Sequence, residues 1–275
     1  MSTVDFLGIG AQKCGTTWLF RQLSRHAQVA FPCGKELHYW DHASDPDVEA
    51  WVSDLQPETR QTPDGRPVVT GEITPAYAML DAGPIRAIRE RCPDIRLFIA
   101  LRSPVERAWS HALMGLARRG QDPLKASDQW FIDHFHSEES RRRGDYAACL
   151  EQWWAAFPRE QLLLIFTEDI ANAPATVMDG LATHLGINPA DFAALPDGAS
   201  HETVRPMLVP GLPSTDAPPI RPSLVMPLIE MYAEPIDRLQ RMLDRDISHW
   251  RRPPEPRALP GPCVTLHPGR AHRQQ

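Results

Sequence analysis

The densest chemical signal in the chain is a glycine-bounded run near its start, Gly10-Ala11-Gln12-Lys13-Cys14-Gly15-Thr16-Thr17. Backbone N–H groups at a helix N-terminus attract anions, and an interior lysine adds a point charge. Gly10 and Gly15 have the spacing of a Walker A loop, GxxxxGK[ST], but Thr16 occupies the lysine position and Lys13 lies inside the loop. Taken by itself, the spacing fits a structural turn as well. Two further segments carry reactive types: Lys35-Glu36-Leu37-His38, and Arg102 with Ser110 eight residues later. The chain has 29 basic residues, yet only Lys13, Lys35 and Lys125 are lysines, and the first two fall within 23 residues of each other. A chain that otherwise uses arginine gives each lysine a claim to a specific role.

The elements that must position these residues follow from periodicity. Residues 4–9 read as a buried strand, the glycine-bounded run as its exit turn, and Trp18, Leu19 and Leu23 as one face of a helix. Further strands are expected at 28–31, 67–71, 95–101 and 162–166, with 72–77 as the exit loop of the third. Helices are expected at 48–55, 83–91, 104–118, 128–137, 146–157, 174–185 and 223–243. Pro104 opens one where its missing N–H is harmless, and Gly186 closes another. Strands alternating with helices imply an α/β fold of the P-loop type, three layers deep, with a central parallel sheet covered on both faces.

Composition narrows the function classes. The 275 residues are 42% hydrophobic and 23% charged, which suits one soluble globular domain, expected over 1–252. A net charge of −6 gives no general affinity for nucleic acid or an anionic membrane, so any anion must be bound locally. Five scattered cysteines suggest neither a disulfide scaffold nor a zinc site, and a reducing compartment fits them best. No segment reads as a signal peptide or reaches the ~20 apolar residues of a membrane span, which points to the cytoplasm. Of the 28 prolines, 16 fall in the last 87 residues. Residues 196–222 therefore read as a long loop or lid, and 253–275 as an extended or disordered tail.

Taken together, these segments resemble the sulfotransferases that use 3′-phosphoadenosine 5′-phosphosulfate (PAPS). The run from Gly10 to Leu19 is similar to that family's 5′-phosphosulfate loop, and Arg102-Ser103-Pro104-Val105-Glu106-Arg107-Ala108-Trp109-Ser110 to its 3′-phosphate element. Lys35-Glu36-Leu37-His38-Tyr39-Trp40-Asp41 resembles the KEPHFFD-like segment of the carbohydrate-type branch. Glu72-Ile73-Thr74-Pro75-Ala76-Tyr77 and Gly144-Asp145-Tyr146, with Trp153 and Phe157 after it, match further landmarks in order, over residues 6–250. The resemblance implies that Gln12, Lys13, Cys14, Gly15, Thr16, Thr17, Arg102 and Ser110 bind PAPS. Trp18 either stacks on the adenine or fills the core.

Sulfuryl transfer, like phosphoryl transfer, relies on alignment and on charge stabilisation at the leaving and equatorial oxygens. The resemblance implies that Lys13 stabilises the leaving phosphate, Lys35 holds sulfuryl oxygens and Glu36 is the base, with His38 as the alternative base. No metal is implied, since neither a Walker B acid nor the Walker A lysine and hydroxyl pair is present. The heparan-type enzymes often carry lysine where this chain has Ile73, so either Lys35 alone serves the sulfuryl group or the acceptor is not an anionic glycan. A small molecule, lipid or carbohydrate hydroxyl is the expected acceptor. Two other classes compete: a P-loop small-molecule kinase using Mg-ATP, and a non-catalytic nucleotide-binding module.

Overall fold

Five short segments of nearly unbroken apolar sequence form the central sheet: β1 (Phe6–Gly10), β2 (Val29–Ala30), β3 (Val69–Ile73), β4 (Arg96–Leu101) and β5 (Leu162–Phe166). The computed structural model describes residues 3–42, 47–192 and 218–253. All strand pairs are parallel, in the order β2-β3-β1-β4-β5. Strands covered on both faces need no polar alternation, and every residue of β1 is accordingly buried. Gly71 is required by close approach, because a Cβ there would stand 2.1 Å from the Phe6 carbonyl oxygen.

Eleven helices are described: α1 (Thr16–Leu23), α2 (Tyr39–His42), α3 (Val48–Asp54), α4 (Ala82–Arg91), α5 (Pro104–Arg118), α6 (Asp128–His136), α7 (Glu138–Gly144), α8 (Tyr146–Ala156), α9 (Thr167–Asn172), α10 (Pro174–Leu185) and α11 (Pro222–Gln240). Side-chain caps set several starts. Asp47 accepts from the amides of Glu49 and Ala50 ahead of α3, Ser127 from Trp130 ahead of α6, and Asp145 from Ala148 ahead of α8. Gly186, at φ 71°, closes α10. Among the described residues, no helix is long and apolar enough to cross a membrane.

Two local expectations change. β3 continues to Ile73 instead of stopping at Gly71, because its pairing with β1 extends to Gly8 opposite Ile73. Glu72 therefore sits on a buried strand rather than in an exit loop. Helices α2, α7 and α9 were not expected, since four to seven residues span too few turns for a periodic signal. The long proline-rich stretch lies outside the described residues except at 218–222, where the Pro218 carbonyl accepts from Trp109 Nε1 at 2.9 Å. The expected tail lies outside them from residue 254 onward.

The topology places the site. Parallel strands all end at one edge of the sheet, so the segments after β1, β2, β3 and β4 emerge side by side. The chain runs from β1 outward to β2 and β3 on one flank, then crosses to β4 on the other, which makes the carboxyl end of β1 the switch point where open α/β sheets bind ligands.

Candidate active site

The segment after β1 is built to leave donors open. Gly15, in the left-handed region at φ 91°, precedes α1, and no side chain caps that helix. The Trp18 amide donates back to the Gly15 carbonyl at 2.9 Å, while the amides of Thr16 and Thr17 have no partner within the helix and stand at its positive end. Thr16 is buried and Thr17 exposed. Cys14 anchors the loop from behind: its fully buried Sγ lies 3.4 Å from Tyr146 Oη, its amide donates to the Ala11 carbonyl, and burial pushes its thiol up. Gln12 Oε1 is buried without a hydrogen-bond partner. Trp18 is 5% exposed and packs in the hydrophobic core.

Positive charge collects beside this loop. Lys13 Nζ reaches Met114 Sδ on α5 at 3.9 Å. Burial, then Arg102 and Arg118, lower its pKa to about 8. Arg102, just past β4, is buried, and its Nε donates to Glu106 Oε2 at 3.1 Å, which uses one of five guanidinium donors. Two turns along α5, Ser110 Oγ is also buried without a partner.

The segment after β2 has a different construction. Gly34, Glu36 and His38 all lie in the left-handed region, at φ 76°, 65° and 56°. The Glu36 amide donates to the Ile73 carbonyl at 3.2 Å and the Leu37 amide to Glu72 Oε2 at 3.3 Å. Lys35 Nζ pairs with Glu36 Oε1, while Glu36 Oε2 stands 3.7 Å from His38 Nε2. The other ring nitrogen, His38 Nδ1, lies 2.9 Å from Asp41 Oδ2. Asp41, His38 and Glu36 thus form a continuous line. His42 stacks on His38 with ring centroids 4.8 Å apart. His38, Asp41 and His42 also bring one ligand atom each within 4.8 Å of one another, the one group among the described residues that could hold a metal ion.

The two segments meet through their lysines. Burial and the charge of Lys13 lower Lys35 to about 8. Lys13, Lys35, Arg102 and Arg118 therefore crowd one region, and Glu36 and His38 border it.

Sequence reasoning missed four participants. Asp41 and Glu106 follow the side chains they hold by three and four residues, a spacing that could have flagged them. Glu72 was placed in a loop, and Arg118 carries no local signal at all. Lys125, unassigned from sequence, is exposed and 3.9 Å from Asp122, a surface pair of little energetic weight. Ile73 is fully buried, so the difference from the heparan-type pattern falls on a core position and does not itself bear on acceptor charge.

Comparisons with known proteins place the family and the fold. The family model for the sulfotransferase domain matches residues 4–202. Human heparan sulfate glucosamine 3-O-sulfotransferase 3B1 is 32% identical over 185 residues, which cover 65% of this chain and 45% of that protein. The chain thus spans less than half the length of this curated relative. The crystal structure of a sulfotransferase from Alicyclobacillus acidocaldarius superposes with a TM-score of 0.67 at 25% identity, covering 92% of this chain and all of the other. The sulfotransferase STF9 from Mycobacterium avium, at a TM-score of 0.51 and 13% identity over 90% of this chain, shares the fold.

Proposed function

The chain belongs to the sulfotransferase domain family, and from that premise we propose that it transfers a sulfuryl group from PAPS to a hydroxyl of a small-molecule, lipid or carbohydrate acceptor. The observation that carries this reading is the meeting of Lys13 and Lys35, both lowered to about 8, beside Arg102 and next to Glu36. Cations held this close against burial and each other call for an anionic ligand.

The residues present fit such a donor, since the buried Gln12 Oε1 and Ser110 Oγ lack partners and the first turn of α1 is uncapped. When bound, PAPS supplies an activated sulfuryl group on a phosphate leaving group. Lys13, Gly15, Thr16 and Thr17, with the amides at the start of α1, hold the 5′ side and offset the charge that grows there. Arg102 and Ser110 hold the 3′-phosphate, the guanidinium aligned by Glu106. Cys14 fixes the loop rather than touching ligand. Lys35 has three donors, so it can keep Glu36 Oε1 and still reach a sulfuryl oxygen. Glu36 takes the acceptor's proton at Oε2, and His38, oriented by Asp41, stands ready to share it.

The kinase alternative is not favoured, because the matched family is a sulfotransferase domain and Thr16 stands where a Walker lysine would be. A cytoplasmic location belongs to the same proposal and would appear in cell fractionation. Calorimetry with adenosine 3′,5′-bisphosphate and, separately, Mg-ATP tests the donor, and transfer of labelled sulfate from PAPS to a panel of hydroxylated acceptors tests the reaction. Binding of the bisphosphate without Mg-ATP, together with labelled product, is the expected result. Preference for Mg-ATP would overturn the donor assignment, and donor binding with no transfer to any acceptor would leave a nucleotide-binding module.

A further inference from the structure

Glu72 has no role in the chemistry above, yet its carboxylate accepts four hydrogen bonds. It is 0% exposed on β3 and accepts from Trp51 Nε1 at 2.8 Å, Thr74 Oγ1 at 2.6 Å, Tyr77 Oη at 3.1 Å and the Leu37 amide at 3.3 Å. A buried carboxylate needs this many donors to stay charged, and burial still pushes its pKa up. Two of the four donors lead to the Lys35–Asp41 segment. Leu37 lies between Glu36 and His38, the two candidate bases. Tyr77 Oη donates to Glu72 and in turn accepts from the amides of Tyr39 at 2.9 Å and Trp40 at 3.5 Å. One buried charge therefore grips the segment directly at residue 37 and, through Tyr77, at residues 39 and 40.

This grip coincides with strain. Glu36 and His38 are both non-glycine residues in the left-handed region, which such residues occupy only where the surroundings hold them. Each stands next to an amide that Glu72 or Tyr77 engages. Released from those contacts, the backbone would relax toward ordinary angles and swing both side chains away from Lys35 and Asp41.

We propose that Glu72 and Tyr77 are positioning residues for sulfuryl transfer, a clamp that holds Glu36 and His38 in the left-handed conformations that aim them at the acceptor hydroxyl; this rests on the function proposed above. The clamp acts through the base side, since none of the hydrogen bonds of the Glu72 and Tyr77 side chains reaches the Gly10–Thr17 loop.

The test uses the full chain with Tyr77→Phe, Glu72→Gln and Thr74→Val. Thr74 donates to the same carboxylate and lies beside the Tyr77 hydroxyl but makes no bond to the base segment, so its loss removes a bond to Glu72 while leaving the bonds to residues 37, 39 and 40 in place. Tyr77→Phe is expected to lower kcat at least 20-fold, with KM for PAPS and the Kd of adenosine 3′,5′-bisphosphate within threefold. Amide exchange at residues 37–40 should quicken at least tenfold, while exchange in α1 stays unchanged. Glu72→Gln should do the same more strongly; if it does not fold, Tyr77→Phe decides alone. Thr74→Val should lower thermal stability but kcat less than threefold. Wild-type kcat in Tyr77→Phe, or kcat falling in all three variants in proportion to stability, would overturn the clamp. If the wild-type chain transfers no sulfate, the function proposed above fails, and exchange at residues 37–40 in Tyr77→Phe still decides whether the clamp exists.

Discussion

The segments at residues 10–17 and 35–41 meet at one edge of the sheet, but they handle charge in opposite ways. Around the first, Lys13 sits against Arg102 and Arg118 with its ammonium 3.9 Å from the Met114 thioether, and Gln12 Oε1 and Ser110 Oγ are buried without partners. In the second, the side chains are paired within the segment: Lys35 with Glu36, and the His38 ring with Asp41 through Nδ1. Both segments hold left-handed residues, Lys13 and Gly15 in the first and Glu36 and His38 in the second, so the difference lies in the side-chain network. The contrast separates two tasks. A site for a highly charged donor can leave its cations unmatched, because the ligand completes them. A base and its proton partner must be held in place before any acceptor arrives, so their network is closed and clamped.

The sharpest way to break this contrast is Glu36→Gln. Loss of a general base should lower kcat by about 10²- to 10⁴-fold. Calorimetric affinity for adenosine 3′,5′-bisphosphate should stay within threefold, and loss of that affinity would mean the two segments are not separate in function. Lys13→Ala should act in the opposite sense, weakening the bisphosphate by roughly 10- to 100-fold, the loss of a charge-assisted contact of about 1.5 to 3 kcal/mol. Ser110→Ala should weaken it about fivefold, as for a neutral hydrogen bond near 1 kcal/mol.

The pH dependence sharpens the contrast further. Lys13 and Lys35 lose their protons near 8 in the free protein, and only the charged forms attract an anion. Affinity for the bisphosphate should therefore fall as pH rises through about 8, with protons taken up on binding in that range. Stability of the ligand-free protein should carry the opposite sign. Their folded pKa values lie below the ordinary lysine value of 10.5, so between about 8 and 10.5 the unfolded chain binds more protons at these lysines and their contribution to stability grows with pH. Equal slopes with and without the bisphosphate would remove the argument that these two lysines bind an anionic ligand. The smallest expected effect is that of EDTA. If Lys13, Arg102 and Lys35 supply the positive charge, turnover should not change on chelation; a large loss would point to the His38, Asp41 and His42 group as a functional metal site.

Much of this was legible in the chain. The buried strands announced themselves as short apolar runs, and the exit turn of β1 through its paired glycines. Lys13, Lys35, Glu36, His38, Arg102 and Ser110 could be singled out because reactive types stood at strand ends in a chain nearly devoid of lysine. Asp41 and Glu106 were within reach through i to i+3 and i to i+4 spacing. Glu72 was not: a carboxylate in an apolar segment looks like the start of a loop, and only the register of β3 against β1 shows that it is buried. Arg118 lies 105 residues from Lys13, and no local pattern links positions so far apart.

By itself the sequence determined the order of elements, the parallel sheet and the residue types that each strand end offers, because periodicity and turn chemistry are local properties. Only the tertiary structure decided which of those residues share charge. The lowering of Lys13 and Lys35 to about 8 and the reach of Glu72 to residues 37, 39 and 40 arise between segments far apart along the chain. Electrostatic and hydrogen-bond energies depend on distance and burial, and both are set only when β1, β2, β3 and β4 end at the same edge of one sheet.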